Sequence, residues 1–162
     1  MSIGLRDGTT AKLIAMQARI GNFKPLMELF GVHMETSVRM NFNVGGRPKW
    51  DDLKDVIVIP KGKSRSRKVR VQGRTRMGGP LVLTGDLRDH IGHTAEAKDL
   101  VLWARPENDP VKAFVHQKGT DIAGRDHNVH IPARPYLVFQ SEDLDWFRKS
   151  CAGWIRVGSA QL

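Results

Sequence analysis

Ile131-Pro132-Ala133-Arg134-Pro135-Tyr136-Leu137 is the most conformationally restricted stretch of this 162-residue chain. Each proline locks its own φ and pushes the residue before it toward extended backbone. Ile131, Pro132, Arg134 and Pro135 therefore have little freedom left. The segment precedes a well-capped helix, so any fold must accommodate a stiff extended rod there. Such rigidity reads as a fixed docking element. Tyr136 and Leu137 follow as apolar anchors, and Arg134 is held on an extended backbone as its exposed element. A buried structural role for Arg134 would need a partner carboxylate.

Periodicity supplies the frame around this segment. Leu13, Ile14, Met16 and Ile20 suggest a short helix over 11–20, interrupted by Gly21 and Asn22. Pro25 suits a first helical turn. Leu26, Leu29, Phe30, His33, Met34, Val38 and Phe42 then repeat at three and four, an amphipathic helix of about five turns. Gly45-Gly46 ends it. Val56-Ile57-Val58-Ile59 is a β-branched strand halted by Pro60. Val69 and Val71 alternate with Arg70 and Gln72, so residues 56–80 read as a long basic β-arm or loop. Thr84 or Asp86 starts a short helix to His93, with Leu87 and Ile91 on one face. Residues 99–104 form the clearest strand, and Asp109-Pro110 opens a short helix closed by Gly119. Residues 127–131 are a further strand. Ser141 caps a last helix with Leu144, Phe147, Cys151 and Trp154 on its apolar stripe. The fold class is α+β: a small, mostly antiparallel sheet packed with an N-terminal and a C-terminal helix. The chain reads as a single domain, 1–162, with a flexible start over 1–10 and a frayed tail over 158–162.

Charge is concentrated in one place. The formal net charge is +9. Lys61, Lys63, Arg65, Arg67, Lys68, Arg70, Arg74 and Arg76 lie within sixteen residues that hold no acid. They account for nearly all the excess. Such a segment binds phosphate backbone in a salt-dependent way or docks on an acidic protein surface. It holds no aromatic residue for base stacking.

Catalytic and metal chemistry find little footing. His90 with His93 and His127 with His130 share His-x-x-His spacing, but a zinc site needs three or four ligands and Cys151 is the only cysteine. His90-Ile91-Gly92-His93 also spells a class I aminoacyl-tRNA synthetase signature. No nucleotide-binding strand, Gly loop and helix precede it. Cys151 with His116 is the one nucleophile pairing to consider, and Cys151 reads more simply as a small buried hydrophobe. No phosphate-binding Gly-Lys-Ser/Thr loop occurs. The expectation is a protein with no catalytic residues, no metal and no cofactor. No apolar run approaches a membrane span, and no partner membrane is expected.

Four blocks recur as a set. They are Phe42 with Gly46-Arg47-Pro48-Lys49-Trp50-Asp51-Asp52-Leu53, then Leu81-Val82-Leu83-Thr84-Gly85-Asp86-Leu87-Arg88, then Phe114-Val115-His116-Gln117-Lys118-Gly119, and the Ile131–Leu137 stretch. In this order the chain resembles the phage virion morphogenesis family from about residue 25 to 155. The resemblance implies a structural virion protein without catalytic activity, acting as tail terminator or tail completion protein at the head–tail neck. Ring subunits, commonly six, that cap the tail tube and meet neck or connector proteins are the implied partners. The implied location is the virion tail or neck, assembled in the host cytoplasm. The chain departs from the family pattern in the basic insertion after Leu53, and in Lys118 where an aromatic residue often sits.

A ring subunit repeats one heterologous contact until the ring closes. Rigid segments lose little entropy on docking. Arg47, Trp50, His116, Gln117, Arg134 and Tyr136 are the expected subunit or partner contacts. The basic arm is expected to reach a neighbour or the DNA end and to order fully only in the ring. The alternative reading is a basic DNA-binding accessory or head-completion protein that contacts packaged DNA.

Overall fold

A computed structural model of the chain describes residues 8–51, 56–58, 69–71, 81, 85–107, 110–123, 126–127 and 129–159, without the side chains of 56–58, 69–71 and 110. The elements run α1 (Gly8–Gly21), α2 (Lys24–Val44), β1 (Val56–Val58), β2 (Val69–Val71), α3 (Asp86–Asp89), β3 (Ile91–Ala95), β4 (Leu100–Ala104), α4 (Pro110–Lys118), β5 (Thr120–Ala123), β6 (Val129–Ile131) and α5 (Ser141–Val157). The fold is α+β, as expected. The single small sheet is not found among the described residues, where the strands pair off as β1–β2, β3–β4 and β5–β6. Each strand takes its chain neighbour as partner, and α4 stands between β4 and β5. Val56 lies opposite Val71, Ile57 opposite Arg70 and Val58 opposite Val69 in an antiparallel ribbon. Arg70 thus falls in β2, and the other seven cations of the basic segment lie outside the described residues.

The chain divides into two compact units, 1–37 with 92–103 and 139–162, and 38–91 with 104–138. The first boundary falls within α2. That helix forms as its spacing requires: Leu26, Phe30, Met34, Val38 and Phe42, four apart, are all buried. Gly45 at φ 79° and Gly46 at φ 100° then stop it, and the Gly46 N–H closes the last turn on the Asn41 carbonyl at 2.7 Å. Both are backbone angles that glycine alone adopts without cost. Leu29, expected on the same apolar face, is exposed.

In the first unit Phe30 is the aromatic centre. Its ring stacks on Phe147 at 4.4 Å, with Trp146 at 6.0 Å and Phe139 at 6.1 Å. The first turn of α5 is fastened by a carboxylate. The N-cap is Gln140 rather than the expected Ser141, and Asp143 is the reciprocal member of a capping box. Asp143 Oδ2 accepts the Gln140 N–H at 2.9 Å and the Ser37 hydroxyl at 2.9 Å, while Oδ1 meets His33 Nε2 at 2.9 Å. The fully buried residues of the helix are Asp143, Ser150 and Gly153; of the expected stripe Phe147, Cys151 and Trp154 are half-buried and Leu144 is exposed. At the other end Arg19 Nη1 donates to the Ile155 carbonyl at 3.0 Å, satisfying a carbonyl that the helix terminus orphans.

In the second unit Val38, Phe42, Trp50, Leu87, Ile91 and Tyr136 form one cluster. This core overrides the helix expected to run to His93. The helix α3 stops at Asp89, and Ile91 enters the core as the first residue of β3. A weak local helix preference loses here to burial of one branched side chain in a strand. The strand β5 was not expected, because Thr120-Asp121-Ile122-Ala123 lacks a β-branched run.

Candidate functional site

The Pro-Ala-Arg-Pro segment is clasped on both sides by the residues singled out in the sequence. From α4, Gln117 Oε1 accepts the N–H groups of Tyr136 at 3.0 Å and Leu137 at 3.1 Å. Its Nε2 donates to the Leu137 carbonyl at 3.2 Å. One amide side chain thereby satisfies two N–H groups and one carbonyl of a segment that lies outside any strand. The His116 carbonyl accepts the Arg134 N–H at 2.7 Å. Tyr136 Oη donates to the Ala113 carbonyl at 3.0 Å. From the turn after α2, Trp50 Nε1 donates to the Pro135 carbonyl at 3.1 Å. The Arg47–Pro48 peptide bond in that turn is cis.

Asn41 joins the two sides and was missed in the sequence. It is fully buried, donates through Nδ2 to the Tyr136 carbonyl at 2.8 Å, and accepts Arg47 Nε at 2.8 Å on Oδ1. The available signal was its place on α2, three beyond Val38 and one before Phe42, where a polar residue must find partners. Phe42 packs against Tyr136 at 5.4 Å and edge-on against Trp50 at 5.6 Å.

Arg134 is not the exposed element expected of it. It is only 4% accessible, and its Nε and Nη2 point at the Asp51 backbone carbonyl at 3.3 and 3.1 Å. Among the described residues no carboxylate pairs with it. Its acceptor among the described residues is a backbone carbonyl. Trp50 and Tyr136 are likewise buried, which leaves Arg47, His116 and Gln117 as the partly accessible members of the six.

Burial and the neighbouring cations Arg134 and Lys112 hold the His116 imidazole below its usual pKa. The ring lines an apolar groove formed by α4 with β5 and β6. Burial alone pushes the Tyr136 phenol up to about 12, so it stays a hydrogen-bond donor at any physiological pH.

Gly119 makes the close approach between α4 and the segment feasible. It sits at φ +75°, and a Cβ there would lie 2.8 Å from the Ala133 nitrogen and 3.0 Å from the Ile131 oxygen. Gly119→Ala is expected to cost at least about 2 kcal/mol, the left-handed backbone and the collision adding together. Denaturant unfolding measures it, and a loss below about 0.5 kcal/mol would show that the approach is not tight.

The histidine pairs do not act as pairs. His90 Nδ1 meets the Asp86 carbonyl at 2.8 Å, and this bond together with Glu107 raises its pKa. His93 instead bridges Glu35 at 2.7 Å and Glu28 at 3.2 Å. His127 contacts the Ile122 carbonyl at 3.1 Å, whereas His130 pairs with Asp121. Burial raises the Cys151 thiol pKa, opposite to what a nucleophilic thiolate requires.

Comparison with known proteins decides what this scaffold belongs to. The model of the phage virion morphogenesis family matches residues 8–151. The chain belongs to that family. The match runs from α1 into α5 and takes in the whole clasp. The chain is also 34% identical over 119 residues to the Mu-like prophage FluMu G protein 2 of Haemophilus influenzae, covering 74% of this chain and 68% of that relative. No solved structure matches the chain. Family membership supports a structural role in virion morphogenesis. Among the described residues no helix is long and apolar enough to cross a membrane.

Proposed function

We propose that this chain is the tail terminator or tail completion protein of a tailed phage. It forms a closed homo-oligomeric ring, with six subunits expected, that caps the tail tube at the neck and receives the connector proteins of the head. The observation that carries this reading is the family match along nearly the whole chain. The clasp supports it physically. A segment fixed by two prolines and held by Asn41, Gln117 and Trp50 keeps the surface beside it rigid, so docking costs little conformational entropy. The two-stranded sheets support it too, since each strand has an outer edge without a ladder partner among the described residues. The six clasp residues then act mainly by shaping the contact surface, with Arg47, His116 and Gln117 reaching it. No catalytic step, metal or cofactor has a part in this role.

The acid-free basic segment favours a second reading, contact with the DNA end. If all eight cations neutralise phosphates, the logarithm of the binding constant falls with the logarithm of salt with a slope of about −7. Neutralising Lys63, Arg65, Arg67, Lys68 and Arg70 together separates the two readings. The terminator role predicts rings and infectious particles that survive the change. A variant that forms rings but loses DNA binding and infectivity moves the function to the arm.

A further inference from the structure

We propose that the groove between α4 and β5–β6 of one copy receives the start of α5 of the next copy; this rests on the ring reading above. The groove has a volume of about 540 Å³. Its apolar wall is unusually open, with Phe114 and Ile122 each 67% exposed and Val111 63%. Together they make a contiguous apolar surface on one small region, the pattern that marks an interaction site rather than scattered surface residues. Lys112, His116 and His127 also line the groove, and no carboxylate does among the described residues. Arg134 adds positive potential behind the wall, since its charge lowers the pKa of His116. The surface therefore fits an apolar segment that carries carboxylates.

The same chain exposes such a segment. Phe139 is 49% exposed and Leu144 42%, and the exposed carboxylates Glu142 and Asp145 lie among them. Asp145 Oδ1 has Arg148 Nη1 at 2.9 Å, a pair exposed on both sides and cheap to rearrange. Asp143 stays within its own copy, buried at the helix cap. The pieces complement one another: aromatic and aliphatic groups meet the apolar wall, and Glu142 and Asp145 meet the Lys112 ammonium. The two patches are different surfaces of one chain, so the contact is heterologous and propagates into a ring when its rotation closes. Opposite charges across it fix register and disfavour a groove-to-groove encounter, in which cation would face cation.

The test is a charge exchange. Wild type, Lys112→Glu, Asp145→Lys and the double variant are compared by sedimentation velocity at matched concentrations, with circular dichroism to show that each is folded. Both positions are exposed, so folding is expected to be unchanged. Each single variant should lower the apparent association constant at least about tenfold, because a like-charge pair replaces an attractive one. The double variant should recover most of the loss. Phe114→Ser, which removes apolar wall without touching charge, should also weaken assembly about tenfold. Rings that form normally in the single variants, or a double variant that recovers nothing, overturn this contact while leaving the ring intact. A wild type that remains monomeric with and without tails overturns the ring and the contact together.

Discussion

Asp143→Ala should destabilise the first unit by about 3–5 kcal/mol. The carboxylate is 1% exposed and collects three partners. Removing it leaves the Gln140 N–H, the Ser37 hydroxyl and the His33 ring without their acceptor in a place water reaches poorly. An unsatisfied buried donor costs about 1–3 kcal/mol by itself. The helix also loses the negative group that faces its positive end. Asp145→Ala is the control. Its carboxylate is exposed, and the same truncation should cost no more than about 0.5 kcal/mol. Equal losses at the two positions would show that Asp143 is not the fastening it looks like in the geometry.

Tyr136→Ala should cost about 3–5 kcal/mol in the second unit. Its side chain is 1% exposed and fills the space against Phe42. Tyr136→Phe divides the effect. It keeps the ring and loses only the bond to the Ala113 carbonyl, for about 1 kcal/mol. A Phe variant as damaged as the Ala variant would mean that the hydroxyl rather than packing anchors the segment. Unfolding curves by denaturant, followed by tryptophan fluorescence, read both, since Trp50 lies edge-on to Phe42 in the same cluster.

What was legible in the sequence follows from the physics of each signal. The helix α2 could be read because its buried residues repeat every four positions over five turns, and no competing pattern shares that spacing. The helix α4 could be read from its proline start and its closing Gly119. The stiffness of residues 131–137 was legible because proline acts locally on the backbone. What holds the segment was not, since its partners come from far away in the chain: Asn41 lies 95 positions from Tyr136, and Asp51 lies 83 from Arg134. At Arg134 the sequence pointed to side chains alone, whereas the acceptor among the described residues is the Asp51 backbone carbonyl. The start of β3 was misread for a related reason, because only the core around Tyr136 shows that Ile91 gains more as strand than as the end of a helix. In α5 Phe147, Cys151 and Trp154 of the expected stripe are half-buried, and what the sequence did not show is the polar Asp143, whose burial is decided by Ser37 and His33 on another helix.

The exposed surfaces of this fold fit an assembled state. Apolar side chains stand open on α4 and β5, while polar groups such as Asn41 and Asp143 are fully enclosed and partnered. Buried polar networks of this kind favour one geometry over near alternatives. On the proposed ring reading, a subunit that repeats one contact needs that uniqueness more than it needs extra stability.

Electron microscopy of the purified protein, alone and mixed with phage tails that lack it, tests the central claim most directly. Closed rings of one size, seated on the end of the tail tube and required for heads to join, are the predicted result. A protein that stays monomeric in both samples, or that binds DNA while leaving tail ends bare, would contradict it.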